Sequence, residues 1–70
     1  MTPLDKVATR TTFANVKIGQ EFYWGSYYAE NANWGKKRSG RTADYRPMIA
    51  GQLSDYVDWG YWPQNEVVYV

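Results

Sequence analysis

The stretch Glu21-Phe22-Tyr23-Trp24-Gly25-Ser26-Tyr27-Tyr28 constrains the fold of this chain more than any other. At a period of two, Phe22, Trp24, Ser26 and Tyr28 share one face, while Glu21, Tyr23 and Tyr27 share the other. The pattern predicts a strand with one buried aromatic face and one amphipathic aromatic face. Lys17-Ile18-Gly19-Gln20 leads into it as a turn, with Gly19 where a positive φ is useful. Gly25 predicts a bulge or sharp bend within the strand.

The 70 residues make one domain, close to the lower limit for folding without covalent staples. Cysteine and histidine are both absent, which excludes disulfides, thiolate zinc sites and histidine-ligated metals. No cofactor is expected, and the core must come from packing alone. Thirteen aromatic residues meet that need, because each carries a large apolar area on few rotatable bonds.

Either side of the aromatic strand the signals are shorter. Residues 1–10 are poor in large apolar side chains and predict a flexible arm, leaving 11–70 as the single folded domain. Phe13, Val16 and Ile18 mark a short strand or one helical turn. Ala29 to Asn33 is a polar loop, residues 34–38 a second strand, Ser39-Gly40 a hairpin turn and residues 41–46 a returning strand ended by Pro47. Met48 to Gly51 is a candidate fourth strand. Leu53, Tyr56 and Val57 stand at helical spacing, which leaves room for a short helix near 52–59, or for an aromatic loop over a barrel end. Val67 to Val70 reads as a last strand, expected to pair into the sheet because a free apolar edge invites aggregation. Trp-Gly recurs at 24–25, 34–35 and 59–60, but the unequal intervals rule out an internal repeat.

These signals predict an all-β fold: a small SH3-like or OB-like antiparallel barrel of four to five short strands. Its expected core is Phe13, Val16, Ile18, Phe22, Trp24, Tyr28, Ile49, Leu53, Val67 and Tyr69. An α+β variant, helical over 52–59, is the runner-up.

The net charge is only +1, so no global field draws the chain to nucleic acid or membrane. Its distribution is uneven. Residues 36–46 hold Lys36, Lys37, Arg38, Arg41 and Arg46 against Asp44, a net +4, whereas residues 47–70 hold only Asp55, Asp58 and Glu66. No apolar run is long enough to span a membrane, and no signal-type segment opens the chain. Together with the absence of cysteine, this gives a cytoplasmic expectation.

The side chains bear on three kinds of chemistry. Catalysis has little to work with: Asp55 and Asp58 are the best carboxylate pair, and solvated loop acids explain them as well. Gly35-Lys36 lacks the earlier glycine and the following hydroxyl of a phosphate loop, so the expectation is no enzyme. Single-stranded nucleic acid could follow Lys36, Lys37, Arg38, Arg41 and Arg46, with Trp34, Tyr45, Tyr23 and Tyr27 as stacking faces. A solvated hairpin tip beside a core Trp34 and Tyr45 is the plainer explanation. Protein binding draws on the surplus of Tyr, Trp and Arg, since so small a chain cannot bury every ring. Its expected anchors are Tyr23, Tyr27, Trp34, Trp59, Tyr61 and Trp62. A homodimer through the last strand or the aromatic surface would use the same groups.

Phe13, Val16, Gly19 and Phe22 form a Phe-x-x-Val-x-x-Gly-x-x-Phe run ahead of the aromatic strand. This resembles the opening of small phage-encoded proteins. Arg41-Thr42-Ala43 after Lys36-Lys37-Arg38-Ser39 is similar to their basic stretch, and Trp62-Pro63 before Val67 to their closing step. The loop at 29–35 and the aromatic insertion at 52–62 depart from that pattern. The resemblance implies an SH3-type barrel and a viral origin, and assigns no functional residue. The combined expectation is a non-enzymatic, phage-encoded accessory factor that binds and modulates a host protein in the host cytoplasm. Single-stranded nucleic-acid binding through 36–46 is the alternative.

Overall fold

In the computed structural model, which describes residues 1–70, a short helix α1 (Leu4–Val7) precedes eight strands. These are β1 (Arg10–Thr12), β2 (Glu21–Trp24), β3 (Asn33–Lys37), β4 (Thr42–Arg46), β5 (Met48–Ile49), β6 (Gln52–Leu53), β7 (Asp58–Tyr61) and β8 (Val67–Tyr69). Six of them form one antiparallel sheet in the order β1-β8-β2-β3-β4-β7, and β5 and β6 form a separate hairpin. Single 3-10 turns at Phe13–Asn15 and Ala29–Asn31 complete the backbone.

The local chemistry follows the sequence closely around β2. Gly19 and Gly25 take φ of +89° and +88°, so the strand is bracketed by two residues for which positive φ carries no steric cost. Phe22 is fully buried and Trp24 half-buried, while Glu21 and Tyr23 face solvent. The strand ends at Trp24 instead of running to Tyr28.

Phe13, Val16, Phe22, Ala43 and Val68 form the core, with Trp24 and Trp62 packed against it. Trp62 is the hub, its ring centroid within 6.0 Å of those of Phe13, Phe22, Trp24 and Tyr45. Most of these contacts are edge-to-face, the arrangement that aromatic quadrupoles favour. Gly35 lies opposite Phe22 in the ladder, and a Cβ there would stand 2.7 Å from the Phe22 ring. The ring occupies the space that glycine leaves.

Several expectations are corrected. The sheet is open, with β1 and β7 at its free edges, so it is not a closed barrel, and it has more strands than the four to five expected. Residues 52–59 are not helical. The β5–β6 turn and Ser54 hold the chain extended there, with Ser54 N–H donating to the Pro47 carbonyl. Residues 1–10 are docked: Leu4 is buried, its N–H donates to the Tyr27 carbonyl, and Thr9 exchanges backbone bonds with Val70. Ile18 is exposed because it sits in the turn ahead of β2, where Gln20 N–H closes on the Lys17 carbonyl. Ile49, Leu53 and Val67 are exposed too, and Val68 takes the core place expected of Val67. Tyr28 and Tyr69 are only half-buried.

Candidate functional site

The register sorts the candidate residues onto two faces. On the inner face lie Phe22, Trp24, Gly35, Tyr45, Ala43 and Gly60; their alternating neighbours point outward. Directly opposed residues cross the outer face as Arg10–Tyr69–Tyr23–Trp34–Arg46, an aromatic row with an arginine at each end. Helix α1 stands beside this row, where Leu4, Val7, Ala8 and Ala29 line an apolar cleft with Tyr23.

This sorting breaks up the basic patch. Lys36 is exposed on the outer face, but Lys37 points inward and is only 5% exposed. Its Nζ donates to the Phe13 carbonyl at 2.9 Å and stands 4.5 Å from the Phe13 ring centroid. Its methylene stem packs in the interior while the ammonium finds one carbonyl and one ring face. Arg46 donates Nε–H to the Ser54 carbonyl and is half-buried. Arg38 pairs with Asp44 at 3.5 Å and lies over Trp59 at 5.3 Å, leaving Lys36 and Arg41 as the freely solvated cations. Trp34 and Tyr45, expected to stack together on one strand of nucleic acid, are on opposite faces of the sheet.

The aromatic anchors separate as sharply. Trp62 is half-buried and packed against the core, and Trp34 is half-buried within the outer row. Tyr23 and Tyr27 are exposed near α1, with the Tyr27 hydroxyl 3.5 Å from Asp5. That carboxylate, above all by its charge, raises the Tyr27 phenol above its ordinary value. Trp59 and Tyr61 are the most conspicuous: 52% and 76% exposed, adjacent on the outer face of β7, with ring centroids 5.8 Å apart. Ile49, Leu53, Tyr56 and Val57 are exposed in the segment just before them. The chain thus shows its largest concentration of bare apolar side chains between residues 49 and 61.

Beside the inner face of β7 is a cleft of about 300 Å³ lined by Trp24, Tyr45, Gly60, Tyr61, Trp62, Pro63 and Glu66. Asp58 closes on Tyr45, whose hydroxyl is 3.5 Å from Oδ2, while Asp58 Oδ1 accepts from the Trp59 N–H at 2.8 Å. Burial first, and then the Asp58 charge, push the Tyr45 phenol above its ordinary value. Trp24 Nε1 is buried without a hydrogen-bond partner.

Composition pointed to Trp59 and Tyr61, but the cleft residues Pro63 and Glu66 were not anticipated, nor the exposure of Ile49, Leu53, Tyr56 and Val57. Residues 47–66 carry many apolar groups without a clear period and no basic residue, and that was the available signal. No group of three or more acidic, histidine or cysteine side chains is placed to hold a metal ion. No helix is long and apolar enough to cross a membrane. No family model, curated protein or solved structure matches the chain.

Proposed function

We propose that this chain is a non-enzymatic protein-binding module whose docking surface is β7 and the apolar segment that precedes it. The observation that carries the reading is the exposure of Trp59 and Tyr61 side by side on one edge strand. Large aromatic side chains left bare beside further apolar groups are the usual material of interface hot spots. Arg38, held over Trp59 and paired with Asp44, gives the patch a polar rim. The resemblance to small phage-encoded proteins supports an accessory role on a host protein.

A photo-crosslinking amino acid at position 61, compared with one at 27, tests the location in a bacterial lysate. The expected result is a discrete protein adduct from position 61 that Trp59→Ser removes. An adduct from position 27 alone overturns the assignment of the surface.

A second reading, single-stranded nucleic acid, is favoured by the row Arg10–Tyr69–Tyr23–Trp34–Arg46, since aromatic rings between cations can stack bases. Oligonucleotide anisotropy at two salt concentrations separates the two readings. Phosphate contacts lose affinity steeply with salt, so salt-sensitive binding removed by Tyr23→Ala and Lys36→Ala would replace the protein-binding reading.

A further inference from the structure

We infer that the open edge of β7 receives an extended segment of the partner as an added antiparallel or parallel strand, and that this segment alternates basic with apolar residues. The inference rests on the protein-binding reading and specifies its mode. Trp62 N–H donates to the Arg41 carbonyl, so Asp58, Gly60 and Trp62 turn their backbone groups toward β4. Trp59 and Tyr61 therefore turn theirs toward the empty side. The Trp59 N–H is taken by the Asp58 carboxylate, but no backbone bond outside the ladder uses the Tyr61 N–H or either carbonyl. An edge strand in this state is a template for strand addition.

The two faces beside that edge differ in chemistry, and the difference specifies the occupant. A residue opposite Gly60 would send its side chain to the inner side, over a position that has none of its own. It would meet the cleft of Trp24, Tyr45, Trp62, Pro63 and Glu66, with Asp58 at the neighbouring inner position. Aromatic faces and carboxylates together suit a guanidinium or ammonium group. Residues opposite Trp59 and Tyr61 would lie on the outer face against those rings and beside Arg38, which suits apolar side chains and disfavours cations. A second copy of this chain fits poorly. Two-fold pairing of β7 with itself would gather Asp55, Asp58 and Glu66 from both copies with no basic residue of 47–70 to offset them.

The test uses the whole chain and synthetic hexapeptides, with tryptophan fluorescence and calorimetry as readouts. The probes are alternating Val-Arg-Val-Arg-Val-Arg, its Glu counterpart, the block-ordered Arg-Arg-Arg-Val-Val-Val, and the alternating peptide with N-methylated backbone. We expect the alternating basic peptide to bind with a dissociation constant on the order of 10–100 µM, typical of a small transient interface. The other three should bind at least tenfold more weakly, and Glu66→Gln should weaken the first by about tenfold. Tyr61→Pro should weaken it well beyond Tyr61→Ala, because proline alone removes the outward N–H while sparing the bonds to β4. Equal binding of the N-methylated or block-ordered peptide overturns strand addition, as does equality of Tyr61→Pro and Tyr61→Ala. A dimer in sedimentation that Tyr61→Pro dissolves overturns it as well, since the edge then belongs to a second copy. A position-61 adduct to another protein that persists alongside either peptide failure, or alongside equality of the two Tyr61 variants, leaves the docking surface standing and removes only its mode.

Discussion

Lys37 shows how much one side chain can depend on a distant backbone. Its ammonium is buried beside the Phe13 carbonyl and ring, with no carboxylate in an ion pair with it. The stem contributes packing, and the single hydrogen bond offsets only part of the desolvation. Lys37→Met should therefore change stability by less than about 1 kcal/mol, whereas Lys37→Ala should cost about 1–3 kcal/mol by emptying the space. Denaturant unfolding measures both. Gly35 makes the opposite demand. Gly35→Ala would push a methyl group against the Phe22 ring and should cost about 1–3 kcal/mol, read as a fall in melting temperature. Tyr45 supplies a pH dependence. Its phenol is raised above 10.0 in the folded chain, so the stability it contributes is complete below pH 10. That contribution is lost as pH rises through the higher folded value. Asp58→Asn should move the tyrosinate absorbance transition of Tyr45 downward, best seen in a Tyr27→Phe background. An unmoved transition would mean that burial alone sets it.

Among the elements, the β5–β6 hairpin has a local conflict. Its two connecting residues, Ala50 and Gly51, both have positive φ, of 52° and 79°, as a type I′ turn requires. Alanine pays for this conformation where glycine and asparagine do so far less. Ala50→Asn or Ala50→Gly should stabilise the chain by about 0.5–1 kcal/mol, measurable by denaturant midpoint. Strand β2 was legible because two glycines bracket a clean alternation between exposed residues and a face formed by buried Phe22 and half-buried Trp24. Strand β8 was legible only as a strand. Val67-Val68-Tyr69-Val70 has no polar residue to mark a face, and Tyr23 opposite Tyr69 sets the register. The expected and observed core residues differ by the single-residue slip that reverses every side chain. Residues 52–57 offered helical spacing over one turn, too short to outweigh a two-residue hairpin and the Ser54 bonds.

For the whole molecule, the decisive fact is how the open sheet divides its tryptophans. The six aromatic anchors were equivalent by composition, because only long-range pairing tells which face each one takes. Trp62 packs against four rings at the margin of the core, and Trp59 stands on the surface. Trp62→Ala should cost about 3–5 kcal/mol, most of the stability of a domain this small. Trp59→Ala should cost less than about 1 kcal/mol and act on binding instead. Circular dichroism melts of the two variants check the pair. Charge alone predicts Lys37 on the surface, and its burial takes one cation out of the basic hairpin expected at 36–46.

The placement of β8 between β1 and β2 also governs the order of events during folding. Thr11 meets Val68 far along the sequence, so the sheet is completed only when two distant segments come together. Strands β2 to β4 can pair through neighbouring segments, but β1 has no partner in the sheet until β8 arrives. Closing so long a loop is slow, which places folding in the millisecond-to-second range typical of non-local β topologies. Until β8 takes its place between β1 and β2, the core that Val68 completes stays open to solvent, and one distant pairing sets when it closes.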